Sequence, residues 1–322
     1  MHLRGIGYAI IASFMFGLGA VLAKLVGSEI DAALVAFLDL AVGGLLLTLC
    51  LAVTSTPFIR QIRRLRHGDW INVFLLACPG TSLPLLLIVA GFARTSALEG
   101  GFLLQLNGVA ALIFALALLG ERIRLKQSLG ILLLLVGSAL VVLKGTTGGD
   151  AGSGIVGDLM IVGGTIAIGF AYIPAKRLTS RIDTLPLTAI RLFVGAATIL
   201  PVLGSEFLVG AHSFFWQPTL VTFWITLPVY ILTNFCLGYL SQQEGLKLIK
   251  AWEVATITQT VPLFSTAFAI LLLHDSMTPI QAIGGLIAIA GGIVVSLNNE
   301  APTPVVLAEK EQLQEVPGED RY

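Results

Sequence analysis

Long apolar runs separated by short polar breaks fill this chain from its first residues to about position 297. A helix of about 20 mostly apolar residues spans the hydrocarbon core of a bilayer. Ten runs read as such helices, roughly at 5–26, 31–53, 71–91, 97–119, 127–144, 155–176, 184–204, 218–242, 252–273 and 278–297. The breaks carry local signals of their own. Thr278-Pro279 predicts a helix start, with threonine as the cap and proline at the first helical position. Gly145 to Gly154 reads as a flexible linker. Beyond Asn298 the chain turns rich in Glu and Pro, and 298–322 reads as a disordered tail. Met1–Arg4 is too short for the charged region of a signal peptide, so the first span is expected to be retained.

Composition narrows the class. Of 322 residues 56% are hydrophobic and only 12% charged, at a mean hydropathy of +0.92. Soluble domains carry roughly 25% charged residues, so soluble and disordered chains are both excluded. Nineteen basic residues balance 19 acidic ones, which leaves no general basic surface for nucleic acid. Cys50, Cys78 and Cys236 lie far apart in apolar runs. No disulfide scaffold or clustered cysteine metal site follows from them. Basic residues also set orientation. An even number of spans puts both ends on one side. With that side as cytoplasm, about fifteen Lys and Arg lie inside and about three outside. The expectation is a multi-pass cell-membrane protein with both termini cytoplasmic, and the run Arg60–Arg66 is an inside loop rather than a nucleic-acid patch.

The chain also resembles itself. Shifted by 154 residues, 97–143 overlays 251–297 with about 13 of 47 positions identical. Glu99 meets Glu253, Gln105 meets Gln259, Gln127 meets Gln281, Gly130 meets Gly284 and Gly137 meets Gly291. Trp70 meets Trp224 at the same shift, while Gly17/Gly169, Lys24/Lys176 and Asp31/Asp183 align at 152. Each copy holds five spans. Five is odd, so the second copy enters from the opposite side. The predicted architecture is all-α and integral to the membrane: ten transmembrane helices in two inverted five-helix repeats, 1–144 and 155–297, followed by the cytoplasmic tail 298–322. Such inverted repeats are a recurrent plan of secondary transporters.

Several segments resemble the drug/metabolite transporter superfamily, and within it the EamA-like transporters. They are LLGERIRLKQSLGILLLLVG and LLHDSMTPIQAIGGLIAIAG, each with an acidic turn, then Gln, then glycines seven apart. GLGAVLAK and GFAYIPAK, near the start of each half, fit as well. The resemblance covers all ten spans but not the tail. It implies a ten-helix carrier, often an exporter of amino acids or related metabolites, with a central cavity lined by the first, third and fourth helices of each half. Members often carry Arg in the second helix of each half. This chain has Arg191 in the second half, but the matching first-half position is Asp39.

Ionisable groups inside a span are costly and are functional candidates. Asp39 and Arg191 sit about 12 Å and 10 Å into their spans at 1.5 Å per residue, at equivalent repeat positions. They read as a buried ion pair, structural or gating, or as joint holders of a zwitterionic substrate. Inverted repeats bind substrate at their interface near the midplane, where uncharged polar side chains are the candidate contacts. These are Gln105 and Asn107 in span four, Tyr172 in span six, Asn234 in span eight, and Thr258 and Gln259 in span nine. Glu99 and Glu253 suit helix N-termini through the dipole or serve as proton-coupling carboxylates. Tyr230 and Tyr239 are pocket-lining or simply packed. The glycine pairs make smooth stripes for close helix packing, within one chain or between two copies.

No HExxH, Walker A or paired-aspartate motif occurs, and the four histidines fall in predicted loops or at an end. An intramembrane enzyme is therefore disfavoured, and no cofactor is implied. The expected function is a secondary transporter of small polar organic metabolites working by alternating access. A channel and a drug-efflux carrier are the alternatives. Expected partners are the substrate, the bilayer and a proton or other coupling ion. Substrate identity and oligomeric state do not follow from the sequence.

Overall fold

Every regular element of the computed structural model is helical. It describes residues 2–27, 29–53, 61–63, 65–92, 94, 103–104, 106–121, 123, 125–142, 155–209, 219–273 and 278–296. In the first half α1 is His2–Gly27, α2 is Ala32–Val53, α4 is Leu106–Leu118 and α5 is Leu125–Val142. Between them α3 starts as His67–Ala77, widens through a π turn at Cys78–Ser82, and continues as Leu83–Phe92. In the second half α6 is Ile155–Thr179, α7 is Thr184–Val209 and α10 is Pro279–Ser296. The helix α8 is a composite of Thr222–Thr226, Leu227–Tyr230, Ile231–Gly238 and Tyr239–Leu248, and α9 is broken into Ala251–Thr258 and Val261–Leu273.

Stretches of 21–27 residues in α1, α2, α3, α6, α7, α8 and α9 are long and apolar enough to cross a membrane. Those seven are joined by shorter apolar stretches in α4, α5 and α10. Large apolar side chains such as Leu49, Leu125, Leu132, Ile225 and Leu286 face outward. That surface suits lipid, which demands only that backbone polar groups be satisfied within each helix. The linker 145–154 and the tail 298–322 lie outside the described residues.

Helix ends differ from the apolar runs where polar groups extend them. Asp69 accepts the Arg66 N–H at 2.8 Å, so α3 begins at His67, ahead of the expected 71. At the far end of α8, Lys176 Nζ donates to the Leu246 and Ile249 carbonyls. This satisfies carbonyls that a helix end leaves bare, and α8 runs on to Leu248 through a polar stretch.

Breaks inside the helices have chemical causes. Pro79 lacks an N–H and opens the turn in α3. There the Thr81 and Ser82 hydroxyls donate to the Leu76 and Ala77 carbonyls at 2.8 and 3.1 Å. In α9, Gln259 and Thr260 close tight turns onto Thr256 and Ile257, just before Pro262, which has no N–H to carry an unbroken helix through this point.

Two apolar cores hold the bundle. One surrounds fully buried Trp252 and joins α1, α3, α4, α5, α6, α7, α8 and α9. The other packs α2 on α7, with α1 and α8. The tightest helix pair is α5 with α10. A Cβ on Gly137 would stand 2.3 Å from the Ala288 nitrogen, and one on Gly291 would stand 2.5 Å from the Leu134 nitrogen. The glycine stripes therefore face each other within one chain, which answers the question the sequence left open.

Candidate functional site

The breaks in α3, α8 and α9 border a cavity of about 490 Å³. Its walls come from α1, α3, α4, α6, α8 and α9, with one side chain, Arg191, from α7. The π turn Cys78–Ser82 and the central part of Ile231–Gly238 correspond at the 154-residue shift. Both turns bring polar residues to the wall, Thr81 from the first and Asn234 from the second. Wide turns of this kind recur at functional sites because they displace side chains from helical register.

Of the residues singled out from the sequence, Asn107, Tyr172, Asn234, Thr258, Gln259 and Arg191 all line this cavity. Gln105 lies outside the described residues, as does Glu99. Tyr230 and Tyr239 are also in the wall. Three polar side chains there were not anticipated: Thr81, Gln242 and Ser265. The pair Gln242-Gln243 in a membrane helix was the available signal for one of them. It falls at the polar end of the apolar run, where glutamines also suit a helix end facing water.

A hydrogen-bonded row crosses one wall. Gln242 Nε2 donates to the Tyr172 hydroxyl at 3.1 Å, and that hydroxyl is 2.8 Å from Thr258 Oγ1. Thr258 in turn donates to the Ala255 carbonyl at 2.8 Å. The Tyr172 hydroxyl thus accepts from one neighbour and donates to the next. Asn107 differs. Its Oδ1 is buried and has no hydrogen-bond partner among the described residues.

The expected pairing of Asp39 with Arg191 is not made. Arg191 Nε donates to Thr81 Oγ1 at 2.7 Å, and its guanidinium carbon lies 3.8 Å from the centre of the Tyr239 ring. Asp39 stands beside the Tyr230 hydroxyl, with neither carboxylate oxygen in a hydrogen bond of proper geometry. Geometry explains the divergence. Arg191, on α7, reaches the third helix of the first half, while Asp39, on α2, reaches the third helix of the second half. Corresponding positions along α2 and α7 did not bring the two side chains to one place. Arg191 lines the cavity and Asp39 does not.

A second polar cluster closes one end of the bundle. Glu121, in the turn between α4 and α5, accepts the Ala251 and Trp252 N–H groups at 2.9 and 3.2 Å. It thereby caps the start of α9. Burial pushes its carboxyl above the ordinary value, against the opposing pull of those two N–H groups and of Lys176. Glu253 accepts the Lys250 N–H at 2.9 Å and lies 3.2 Å from His2 Nε2.

Comparison with known proteins places the chain. The EamA-like transporter family matches it over residues 3–143 and again over 155–297. An uncharacterized transporter of Methanothermobacter thermautotrophicus is 20% identical over 311 residues, covering 90% of this chain and 85% of the relative. One from Archaeoglobus fulgidus is 28% identical over 234 residues, covering 72% and 78%. A solved crystal structure shares the fold with a TM-score of 0.76 at 16% identity, over 91% of this chain and 96% of its own. The chain belongs to the EamA-like transporter family. It is a multi-pass membrane protein with a transporter's role.

Proposed function

We propose that this member of the family is a secondary carrier of small polar organic metabolites that works by alternating access. In this reading ten helices cross the membrane as two inverted five-helix repeats, 1–144 and 155–297, with both termini in the cytoplasm. The carrying observation is the cavity, enclosed by helices of both halves and furnished with polar groups from each. Equivalent π turns in α3 and α8, and the packing of α2 on α7 and α5 on α10, fit a pseudo-two-fold plan. A pseudo-symmetric pair of halves can open to either side by exchanging conformations. Export of amino acids or their relatives is the direction and cargo that the family resemblance implies.

In this reading Asn107, Asn234, Gln259 and the Tyr172–Thr258 pair contact substrate, and Gln105 joins them on the strength of the sequence alone. A hydrogen bond to an uncharged substrate group is worth about 0.5–1.5 kcal/mol net. Asn107→Ala and Gln259→Ala are each expected to weaken apparent affinity by roughly 2- to 13-fold, with membrane insertion unchanged. The measurement is counterflow of radiolabelled amino acids into proteoliposomes holding the full chain, after a panel of toxic metabolites has been screened in overproducing cells. Saturable counterflow with normal affinity in both variants would move the binding site elsewhere. Flux without saturation or counterflow would point to a channel.

A further inference from the structure

Arg191 is a cation inside the protein, 4% exposed, yet among the described residues no acidic side chain lines the cavity it faces. A buried charge must be balanced by an opposite charge or by hydrogen bonds. The structure supplies part of that balance. Nε donates to Thr81 Oγ1, Nη2 reaches the Gly80 carbonyl only at 3.5 Å, and the Tyr239 ring covers one face. A guanidinium carries five N–H donors in a planar fork. Those left over have no acceptor among the described residues. Thr81 and Tyr239 meanwhile hold the group in place, so the fork is fixed before anything binds.

We infer that Arg191 is the anchor for a carboxylate, and that the cavity selects small organic monocarboxylates with an apolar or aromatic body. A planar fork matches a carboxylate through two parallel hydrogen bonds. One cation suits one negative charge, which argues against phosphate dianions. Phe16, Tyr230 and Tyr239 give the remaining wall an aromatic character. The unpartnered Asn107 Oδ1 offers an acceptor to an N–H or O–H group on the same molecule. This assignment deepens the carrier reading by naming what the cavity holds, and only the movement of the bound anion rests on that reading.

The test uses the full-length protein in lipid nanodiscs and three probes of one shape: hydrocinnamate, its amide hydrocinnamide, and the amine phenylpropylamine. Binding is measured by calorimetry. Hydrocinnamate is expected to bind, with the amide and amine at least about tenfold weaker. Losing hydrogen bonds to a charged group should make Arg191→Gln bind hydrocinnamate roughly 10- to 140-fold more weakly, with Arg191→Lys in between. Equal binding of the amide or amine, no binding of any probe, or undiminished binding by folded Arg191→Gln would each overturn the assignment. Should Arg191→Gln fail to fold, the three-probe comparison on the wild-type protein decides alone. Counterflow of labelled hydrocinnamate separates the two readings. Binding without exchange keeps the anion anchor and sinks the carrier, whereas exchange of the amine in preference keeps the carrier and sinks the anchor.

Discussion

An acid buried without a well-made hydrogen bond costs free energy in every fold that contains it, and Asp39, beside the Tyr230 hydroxyl, is such a residue. It is 1% exposed, and among the described residues neither oxygen has a hydrogen bond of proper geometry. A buried polar group left unsatisfied costs about 1–3 kcal/mol. Asp39→Leu keeps the branching and the number of side-chain heavy atoms and removes the unsatisfied group. It is expected to raise resistance to unfolding by about 1–3 kcal/mol, read from thermal denaturation of the purified protein in detergent. A loss of similar size would show that the carboxyl has a partner in the bilayer. Arg191 follows the opposite logic, because Thr81 and Tyr239 engage it and the cavity exposes what they leave. Both residues were conspicuous in the sequence as ionisable groups inside apolar runs. Their failure to meet was not, because the direction in which each side chain leaves its helix depends on how that helix is rotated.

Between helices, small residues decide how close two backbones come. The α5–α10 contact relies on Gly137 and Gly291, where any side chain would collide with the backbone of the opposite helix. Overpacking a tight contact typically costs 1–3 kcal/mol. Gly137→Val should therefore lower the thermal midpoint of the full chain, whereas the same substitution at Gly7, whose Cβ position is open, should leave it nearly unchanged. Equal midpoints for the two variants would mean that α5 and α10 do not meet in the membrane. The i, i+7 glycine spacing was readable in the sequence as a smooth stripe. Its partner was not, since intramolecular and intermolecular stripes have the same spacing. The π turns in α3 and α8 were likewise only half visible. Pro79 and Pro228 stand in or beside these turns in the sequence, but the hydroxyl bonds of Thr81 and Ser82 depend on local carbonyls that a linear pattern does not display.

For the whole molecule the test is sidedness. On a cysteine-free background, Ser180→Cys, exposed between α6 and α7, is expected to react with a membrane-impermeant maleimide only from the cytoplasmic side. Leu220→Cys, exposed ahead of α8, should react only from outside. The opposite pattern would reverse the orientation read from the Lys and Arg distribution. What the amino-acid order settled is the class of molecule and most of its helical segments. Crossing lipid is a local requirement, since each helix must satisfy its own backbone and present enough apolar length. That requirement can be read one run at a time. The repeat offset was legible for the same reason, as polar residues are sparse in these runs and their recurrence stands out. The tertiary structure alone decided which polar side chains share the cavity, that Arg191 and Asp39 part company, that Gln242 joins Tyr172 and Thr258, and that the glycine stripes close on one another. Helices apolar on nearly every face carry little sequence signal for their rotation about the long axis. Packing against neighbours sets that rotation, and it exists only once the chain has folded.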